Sequence, residues 1–212
     1  MVRQILSGIA FLHSRWIMHR DLSPSNILVF DGQRLKITDF GLARTFWAPL
    51  TPLSADGPVV KVWYRAPELL LGQKDYGAAI DVWALGCIFV ELLLMRVVFR
   101  GHEAKNGRPQ MHQLGTIFES LGVPDEQTWP GHTSLPLWRD ALHAGILGKG
   151  HDGRKSLRAE LRALDEETHP GDAGMEVLKQ LLRYCPKRRP TAQRALESDL
   201  FSGSCLHAAA VP

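Results

Sequence analysis

The chain has few of the features that mark secreted, metal-binding or membrane proteins. Its three cysteines in 212 residues, Cys87, Cys185 and Cys205, match neither a metal-ligand spacing nor a disulfide framework. The first residues lack the apolar segment of a signal peptide. The longest apolar run, residues 88–95, is interrupted by Glu91 and is too short to cross a membrane. These absences predict a protein of a reducing compartment that makes no membrane contact.

The chain also has little excess of one sign of charge over the other. Lys and Arg together number 25 and Asp and Glu 22, so the net charge of +3 is too mild to predict nucleic-acid binding. A hydrophobic content of 45% and a mean hydropathy of −0.10 predict a soluble globular chain. At 212 residues it is long enough to bury a core. The sequence shows no internal repeat and no second domain.

Apolar periodicity predicts a mainly α-helical chain with one small β-hairpin. The strands are predicted at residues 27–30 and 35–37, around a turn at 31–34. A polar loop insertion is predicted at 101–110, and residues 128–168, rich in Gly, His, Trp and Pro, give no clear assignment. The predicted helices and caps are 2–14, 79–94, 111–121 ended by Gly122, 175–184, and 191–197 with Thr191 as N-cap.

Three polar side chains carry the strongest chemical signal. Asp21 is followed five residues later by Asn26, and Asp39 stands before Phe-Gly. Phosphoryl transfer needs one carboxylate to orient the attacking hydroxyl and further oxygen ligands to hold magnesium against the phosphates. A loop of this length lets Asp21 and Asn26 face one cleft, and the hairpin then brings Asp39 beside them. The spacing predicts a shared metal-nucleotide pocket.

These motifs resemble the catalytic core of eukaryotic protein kinases. The landmarks stand in the order of that family: His-Arg-Asp at 19–21, Asn26, Asp-Phe-Gly at 39–41, Ala-Pro-Glu at 66–68, an apolar helix that opens near Asp81, and Cys-Pro-Lys-Arg-Arg-Pro at 185–190. The resemblance implies a protein-kinase-like C-terminal lobe that is mainly α. No Gly-x-Gly-x-x-Gly loop and no Val-Ala-x-Lys strand precede His19, so the N-terminal lobe is expected to be missing from this chain.

The resemblance also divides the chain. It implies one kinase domain at residues 1–201, with the catalytic loop at 19–26 and the activation segment at 39–68. Residues 202–212, which are rich in alanine, are predicted to be a disordered tail.

Within the kinases, residues 62–72 resemble the cyclin-dependent kinases. Residues 41–54 and the insertion at 101–110 resemble the Mediator-associated form that pairs with cyclin C, the plant E-type especially. This resemblance implies a nuclear serine/threonine kinase that uses ATP and Mg²⁺ and phosphorylates Ser or Thr before Pro. It implies a cyclin C-like subunit and the Mediator kinase module as partners, without direct contact to nucleic acid or membrane.

The resemblance implies a role for each residue of the cleft. Asp21 orients the substrate hydroxyl, and Asn26 and Asp39 hold Mg²⁺ and the nucleotide. Leu28 forms the apolar floor under the adenine, although a purely structural place in the core is an open alternative. His19 is expected to be structural and to pack against Phe40.

Further roles lie around the activation segment. Arg65 shapes the floor under the residue that follows the phosphorylated one, and Asp81 holds the backbone of the catalytic loop. Arg20 receives negative charge from the activation segment, which Asp56 could supply without phosphorylation. The alternative is that Asp56 only solvates a loop. In the family the pair implied here, Glu68 with Arg189, is a buried ion pair.

Two residues depart from the family pattern. Ser23 stands where most serine/threonine kinases carry Lys, and Lys61 stands where they usually carry Thr. One interpretation is an exchange in which Lys61 supplies the ammonium from the opposite wall, because an ammonium acts on phosphate as a point charge. The other is a weakened site.

Two classes of function therefore stay open. The first is an active kinase, favoured by intact Asp21, Asn26 and Asp39. The second is a truncated or pseudokinase lobe that acts as a non-catalytic interaction module, favoured by Ser23 and by the expected absence of the N-terminal lobe. In either case this chain alone is expected to be inactive.

Overall fold

The computed structural model describes residues 1–46, 62–101, 109–146 and 156–201. Its helices are α1 (Val2–Ser14), α2 (Pro67–Leu70), α3 (Ala79–Leu94), α4 (Pro109–Leu121), α5 (Trp138–His143), α6 (Leu157–Arg162), α7 (Gly171–Leu181) and α8 (Ala192–Leu196). Single turns of 3₁₀ helix lie at Pro24–Asn26, Val62–Tyr64, His132–Ser134 and Pro186–Arg188. The prediction of a mainly α-helical chain with a small hairpin is confirmed.

Four short strands occur in the described ranges, as two antiparallel pairs. They are β1 (Ile17–Met18), β2 (Ile27–Phe30), β3 (Arg34–Ile37) and β4 (Arg44–Thr45). Strand β1 pairs with β4, and β2 pairs with β3. In the second pair Ile27 lies opposite Ile37 and Phe30 lies opposite Arg34. The predicted hairpin is confirmed, and it delivers the chain directly to Asp39.

The hairpin is closed by an Asp-Gly turn and fixed to α1. Asp31 and Gly32 have positive φ angles of 51° and 68°, a conformation that this residue pair tolerates well. Gln4 of α1 reaches the hairpin with both ends of its amide, because Nε2 donates to Gln33 O at 2.8 Å and Oε1 accepts from Leu35 N at 2.9 Å. The catalytic side of the hairpin therefore has a fixed position on the helical body.

Helix α3 forms the centre of the core. Every residue from Ile80 to Val90 is buried, as expected for a helix that is apolar on all sides. It packs against α1 and α7, and the Trp83 ring stacks on Phe99 at 5.9 Å between centroids. Asp81 is the one charged side chain in this buried run.

Aromatic contacts organise residues 129–138, in the first part of the region without a clear assignment. Trp129, His132 and Trp138 are all buried. The His132 ring lies 4.4 Å from Trp138, and Trp129 stacks on Tyr184 at 6.0 Å. Tyr184 is far away in the sequence, so local periodicity gives little sign of its contact with Trp129.

Several element bounds differ from the prediction. Helix α4 begins at Pro109, inside the predicted loop insertion. Helix α7 begins four residues earlier than predicted, at Gly171, because its first turn packs through Gly174 against Pro170 and carries no apolar periodicity. Lys61, Asp56, Cys205, most of the insertion and the predicted tail lie outside the described residues. Across the ranges that are described, none of the helices has the length and apolar character needed to cross a membrane.

Candidate active site

The buried carboxylate of Asp81 holds the start of the catalytic loop. Its Oδ2 accepts from His19 N at 2.9 Å and its Oδ1 accepts from Arg20 N at 2.9 Å. The His13 ring of α1 contacts the same Oδ2 through Nε2 at 2.9 Å. Arg20 has a φ of 71°, which a side chain adopts only where the surroundings enforce it. Asp81 supplies that constraint.

The His19 imidazole joins the catalytic loop to the end of the hairpin. Its Nδ1 accepts from Asp21 N at 3.3 Å, so the other nitrogen, Nε2, donates to Thr38 O at 2.9 Å. Its ring also meets the Phe40 ring edge-on, with centroids 5.2 Å apart. The packing of His19 on Phe40 that the sequence suggested is present.

Asp21 and Asn26 contact each other across the catalytic loop. Asn26 Nδ2 donates to Asp21 Oδ2 at 2.9 Å and to Asp21 O at 2.7 Å. Because the amide nitrogen is engaged with Asp21, the amide oxygen of Asn26 points elsewhere, and Ser25 Oγ approaches it at 3.4 Å. The pair thus presents one carboxylate and one amide oxygen to the same cleft.

Asp39 follows directly from the residue that pairs with Asn26. Thr38 N donates to Asn26 O at 2.9 Å. Asp39 is exposed, has a φ of 61°, and accepts from Gly41 N through Oδ1 at 3.3 Å. The backbone therefore brings the three predicted side chains to one end of the hairpin.

These oxygens fit a magnesium ion that is shared with phosphate. Mg²⁺ prefers a few carboxylate or carbonyl oxygens together with waters and phosphates over an all-protein cage. In the part of the chain that is described, no three His, Cys, Asp or Glu side chains form a metal cluster. Asp39 and the amide oxygen of Asn26 are ligands of the right type.

Ser23 lies buried within the catalytic loop. Its Oγ is 3.0 Å from Ser25 Oγ, and Ser25 in turn reaches Asn26 Oδ1. Ser23, at the position where the family usually has lysine, is thus linked through Ser25 to a predicted metal ligand. Lys61 lies outside the described residues, so the exchange of charge stays a prediction.

Leu28 is 46% exposed on β2. Leu28 is thus not enclosed by the core of the described residues, and its place under the adenine stays a prediction. Val29 and Phe30 on the same strand are also exposed.

The Glu68–Arg189 pair is present and fully enclosed. Arg189 Nη1 donates to Glu68 Oε1 at 2.6 Å and Nη2 donates to Oε2 at 2.7 Å, so the contact is bidentate. The guanidinium also lies over the Trp83 ring at 5.0 Å. The pair ties the end of the activation segment to the C-terminal part of the domain.

Arg20 and Arg65 are both buried beside the activation segment. The Arg20 guanidinium lies 5.9 Å from the centre of the Tyr76 ring. Burial lowers the pKa of Arg65 from its ordinary value. Asp56, the predicted partner of Arg20, is outside the described residues, and this pairing stays a prediction.

Three polar contacts near the site were not predicted from the sequence. His13 shares Asp81 with the catalytic loop. Tyr64 Oη donates to Glu91 Oε2 at 2.7 Å, and burial, together with the Glu91 carboxylate, raises the pKa of Tyr64. Gln113 is a fully buried amide on α4. For His13 on α1 and Gln113 on α4, the only sequence signal was a polar residue on a helix with apolar periodicity. No sequence signal pointed to the contact of Tyr64.

A helical body whose catalytic loop is held by a buried aspartate, beside a hairpin that ends in Asp-Phe-Gly, defines a protein-kinase-like fold. The chain belongs to the protein kinase family, since the family model described as protein kinase domain matches residues 1–201.

Individual relatives refine the class. The chain is 42% identical over 218 residues to serine/threonine-protein kinase SSN3 of Phaeosphaeria nodorum, covering 94% of this chain and 49% of that protein. It is 44% identical over 213 residues to cyclin-dependent kinase E-1 of Arabidopsis thaliana, covering 93% and 42%. The chain thus spans about half the length of the curated relatives it matches. The resemblance to cyclin-dependent kinases is confirmed.

Among solved structures, the yeast RNA Pol II CTD kinase CTDK-1 complex is similar with a TM-score of 0.78 and 32% identity. The similar region covers 94% of this chain and 60% of the matched chain.

Proposed function

We propose that the protein is an ATP- and Mg²⁺-dependent serine/threonine kinase of the cyclin-dependent type that phosphorylates Ser or Thr before Pro. The proposal includes a cyclin C-like partner, the Mediator kinase module and a nuclear role in transcription, in line with the similarity to the yeast RNA Pol II CTD kinase CTDK-1 complex. The observation that supports it best is the 2.9 Å contact between Asn26 Nδ2 and Asp21 Oδ2 at the end of the hairpin that carries Asp39.

The chemistry follows from the roles of these three residues. Asn26 orients the Asp21 carboxylate, which accepts the proton of the substrate hydroxyl. Asp39 and Asn26 Oδ1 would hold Mg²⁺, which when bound would neutralise charge on the phosphates. Leu28, which is exposed on β2, would form the apolar floor under the adenine. Arg65 fixes the floor below the proline of the substrate.

The charge exchange between Ser23 and Lys61 is part of this proposal. Stabilisation of a developing charge by one donor typically changes the rate by about 10²–10³. Lys61→Met should therefore lower turnover by about that factor if Lys61 replaces the usual lysine. An unchanged rate would contradict the charge exchange. Lys36→Met, at an exposed position of the hairpin, serves as the control.

One observation favours the alternative of a non-catalytic interaction module. Ser23, whose hydroxyl is linked through Ser25 to Asn26 Oδ1, carries no positive charge of its own to act on the phosphates. Such a lobe would bind partners without transferring phosphate.

Phosphate transfer separates the two. The natural full-length protein with a cyclin should phosphorylate a Ser-Pro peptide, act poorly on the matched Ser-Ala peptide, and lose activity when Mg²⁺ is chelated. Binding of a cyclin without transfer to either peptide would favour the interaction module.

A further inference from the structure

The backbone of residues 62–65 is anchored by the fully buried side-chain amide of Gln113 on α4. Gln113 Nε2 donates to Phe99 O at 2.9 Å and, over a longer 3.4 Å, to Trp63 O. Its Oε1 accepts from Gly101 N at 2.9 Å. A single side chain therefore joins residues 62–65 to the connection that follows α3.

The Trp63 side chain makes a second link to the same connection. Its Nε1 donates to Gly101 O at 2.9 Å, and the Arg100 guanidinium lies over its ring at 5.5 Å. Both backbone groups of Gly101 are thus engaged, the N–H by Gln113 and the carbonyl by Trp63. A Cβ on Gly101 would lie 2.4 Å from Gln113 Oε1 and 2.9 Å from Gln113 Cα, so this contact has no space for a side chain.

A third anchor fixes the next residue from another element. Tyr64 Oη donates to Glu91 Oε2 on α3 at 2.7 Å. Arg65 follows, and its N–H closes a turn on Val62 O at 3.3 Å. Gln113 fixes Trp63 and Glu91 fixes Tyr64, and together they set the path of the backbone into Arg65.

We infer that Gln113 is a positioning residue for the substrate peptide: by holding Trp63 and Gly101 together, it fixes the floor formed around Arg65 on which the proline of the substrate rests. This inference rests on the proposed function. Among the described residues, the side-chain hydrogen bonds of Gln113 run to residues 63, 99 and 101 and not to Asp21, Asn26 or Asp39. Its loss should therefore weaken peptide binding and leave ATP binding intact.

The test compares three variants of the natural full-length protein. Gln113→Leu removes all three contacts, and Trp63→Phe removes the indole N–H and part of the ring area but keeps an aromatic ring. Gln110→Leu on the same helix is the matched control, because the Gln110 side chain makes no hydrogen bond within the described ranges. For each, KM for a Ser-Pro peptide, KM for ATP and kcat are measured, together with amide exchange at residues 62–65.

Gln113→Leu should raise KM for the peptide about tenfold, as expected for lost hydrogen bonds at a buried site, and leave KM for ATP within about twofold. Trp63→Phe should raise the KM for the peptide less than Gln113→Leu does, and Gln110→Leu should not raise it. Equal increases in the KM for the peptide and the KM for ATP, or an unchanged KM for the peptide in both test variants, would overturn the inference.

Failure of the proposed function gives a different result. An unsubstituted protein that phosphorylates no peptide contradicts that function, and amide exchange then decides the anchoring alone. Faster exchange at residues 62–65 in Gln113→Leu supports the anchor, and unchanged exchange overturns it.

Discussion

Arg189 shows how much a single buried residue contributes to this domain. Its five N–H donors all find acceptors: Glu68 Oε1 and Oε2, Ala79 O, Arg183 O and Tyr184 O. A buried ion pair is not in itself strongly stabilising, because desolvation opposes the attraction between the charges. Removal of one partner is costly, since it leaves an uncompensated charge in the core.

Stability should therefore depend strongly on Glu68. Glu68→Gln keeps the shape of the side chain and leaves Arg189 without its counter-charge, so the free energy of unfolding should fall by about 3–5 kcal/mol. Urea unfolding measures this change. Asp31→Asn, which breaks the exposed ion pair with Arg34, is the matched control and should change stability little. Equal stability of both variants would contradict the importance of the buried pair.

At the scale of elements, the sequence predicted the helix bounds, turns and caps that depend on residues close together in the chain. Helix α1 has the predicted bounds because its apolar periodicity is strong, and α3 has them because almost all of its residues are apolar. The Asp31-Gly32 turn and the Thr191 cap, whose Oγ1 accepts from Arg194 N at 3.2 Å, follow from local backbone chemistry.

Contacts between segments that lie far apart in the chain could not be predicted from the sequence. The Trp129–Tyr184 stack and the Gln113–Gly101 contact join residues whose proximity depends on the whole fold. In the site, the motif residues Asp21, Asn26 and Asp39 could be predicted, whereas His13, which belongs to no motif, could not.

The contact between α3 and α7 gives a prediction at this scale. A Cβ on Gly86 would lie 2.7 Å from Leu182 Cδ2, 3.0 Å from Leu182 Cγ and 3.2 Å from Leu181 Cβ. Gly86→Ala should lower the free energy of unfolding by about 1–3 kcal/mol, because overpacking outweighs the better helix propensity of Ala.

The control for this contact is Gly77→Ala, whose Cβ would meet no atom within 4 Å. It should leave the thermal midpoint nearly unchanged. A Gly86→Ala protein as stable as Gly77→Ala would contradict this prediction, because it would show that the contact accommodates the added methyl group without loss of stability.

At the scale of the whole molecule, α1, the hairpin and the Asp-Phe-Gly motif all carry exposed apolar side chains. They are Phe11, Leu28, Val29, Phe30 and Phe40. Leu28 and Phe30 share one face of β2, and Val29 lies on the opposite face. The relatives are about twice as long as this chain, and a second lobe that faces the cleft stays a prediction.

The account as a whole depends on Asp21 acting with Asn26 and Asp39 on one nucleotide. The most direct test is the rate of phosphate transfer to a Ser-Pro peptide by Asp21→Asn and by the control Asp31→Asn, both in the natural full-length protein with its cyclin. Asp21→Asn should reduce kcat by about 10²–10⁴ without loss of folding, and Asp31→Asn should keep the original rate. Full activity of Asp21→Asn, or an equal loss in both variants, would contradict the account.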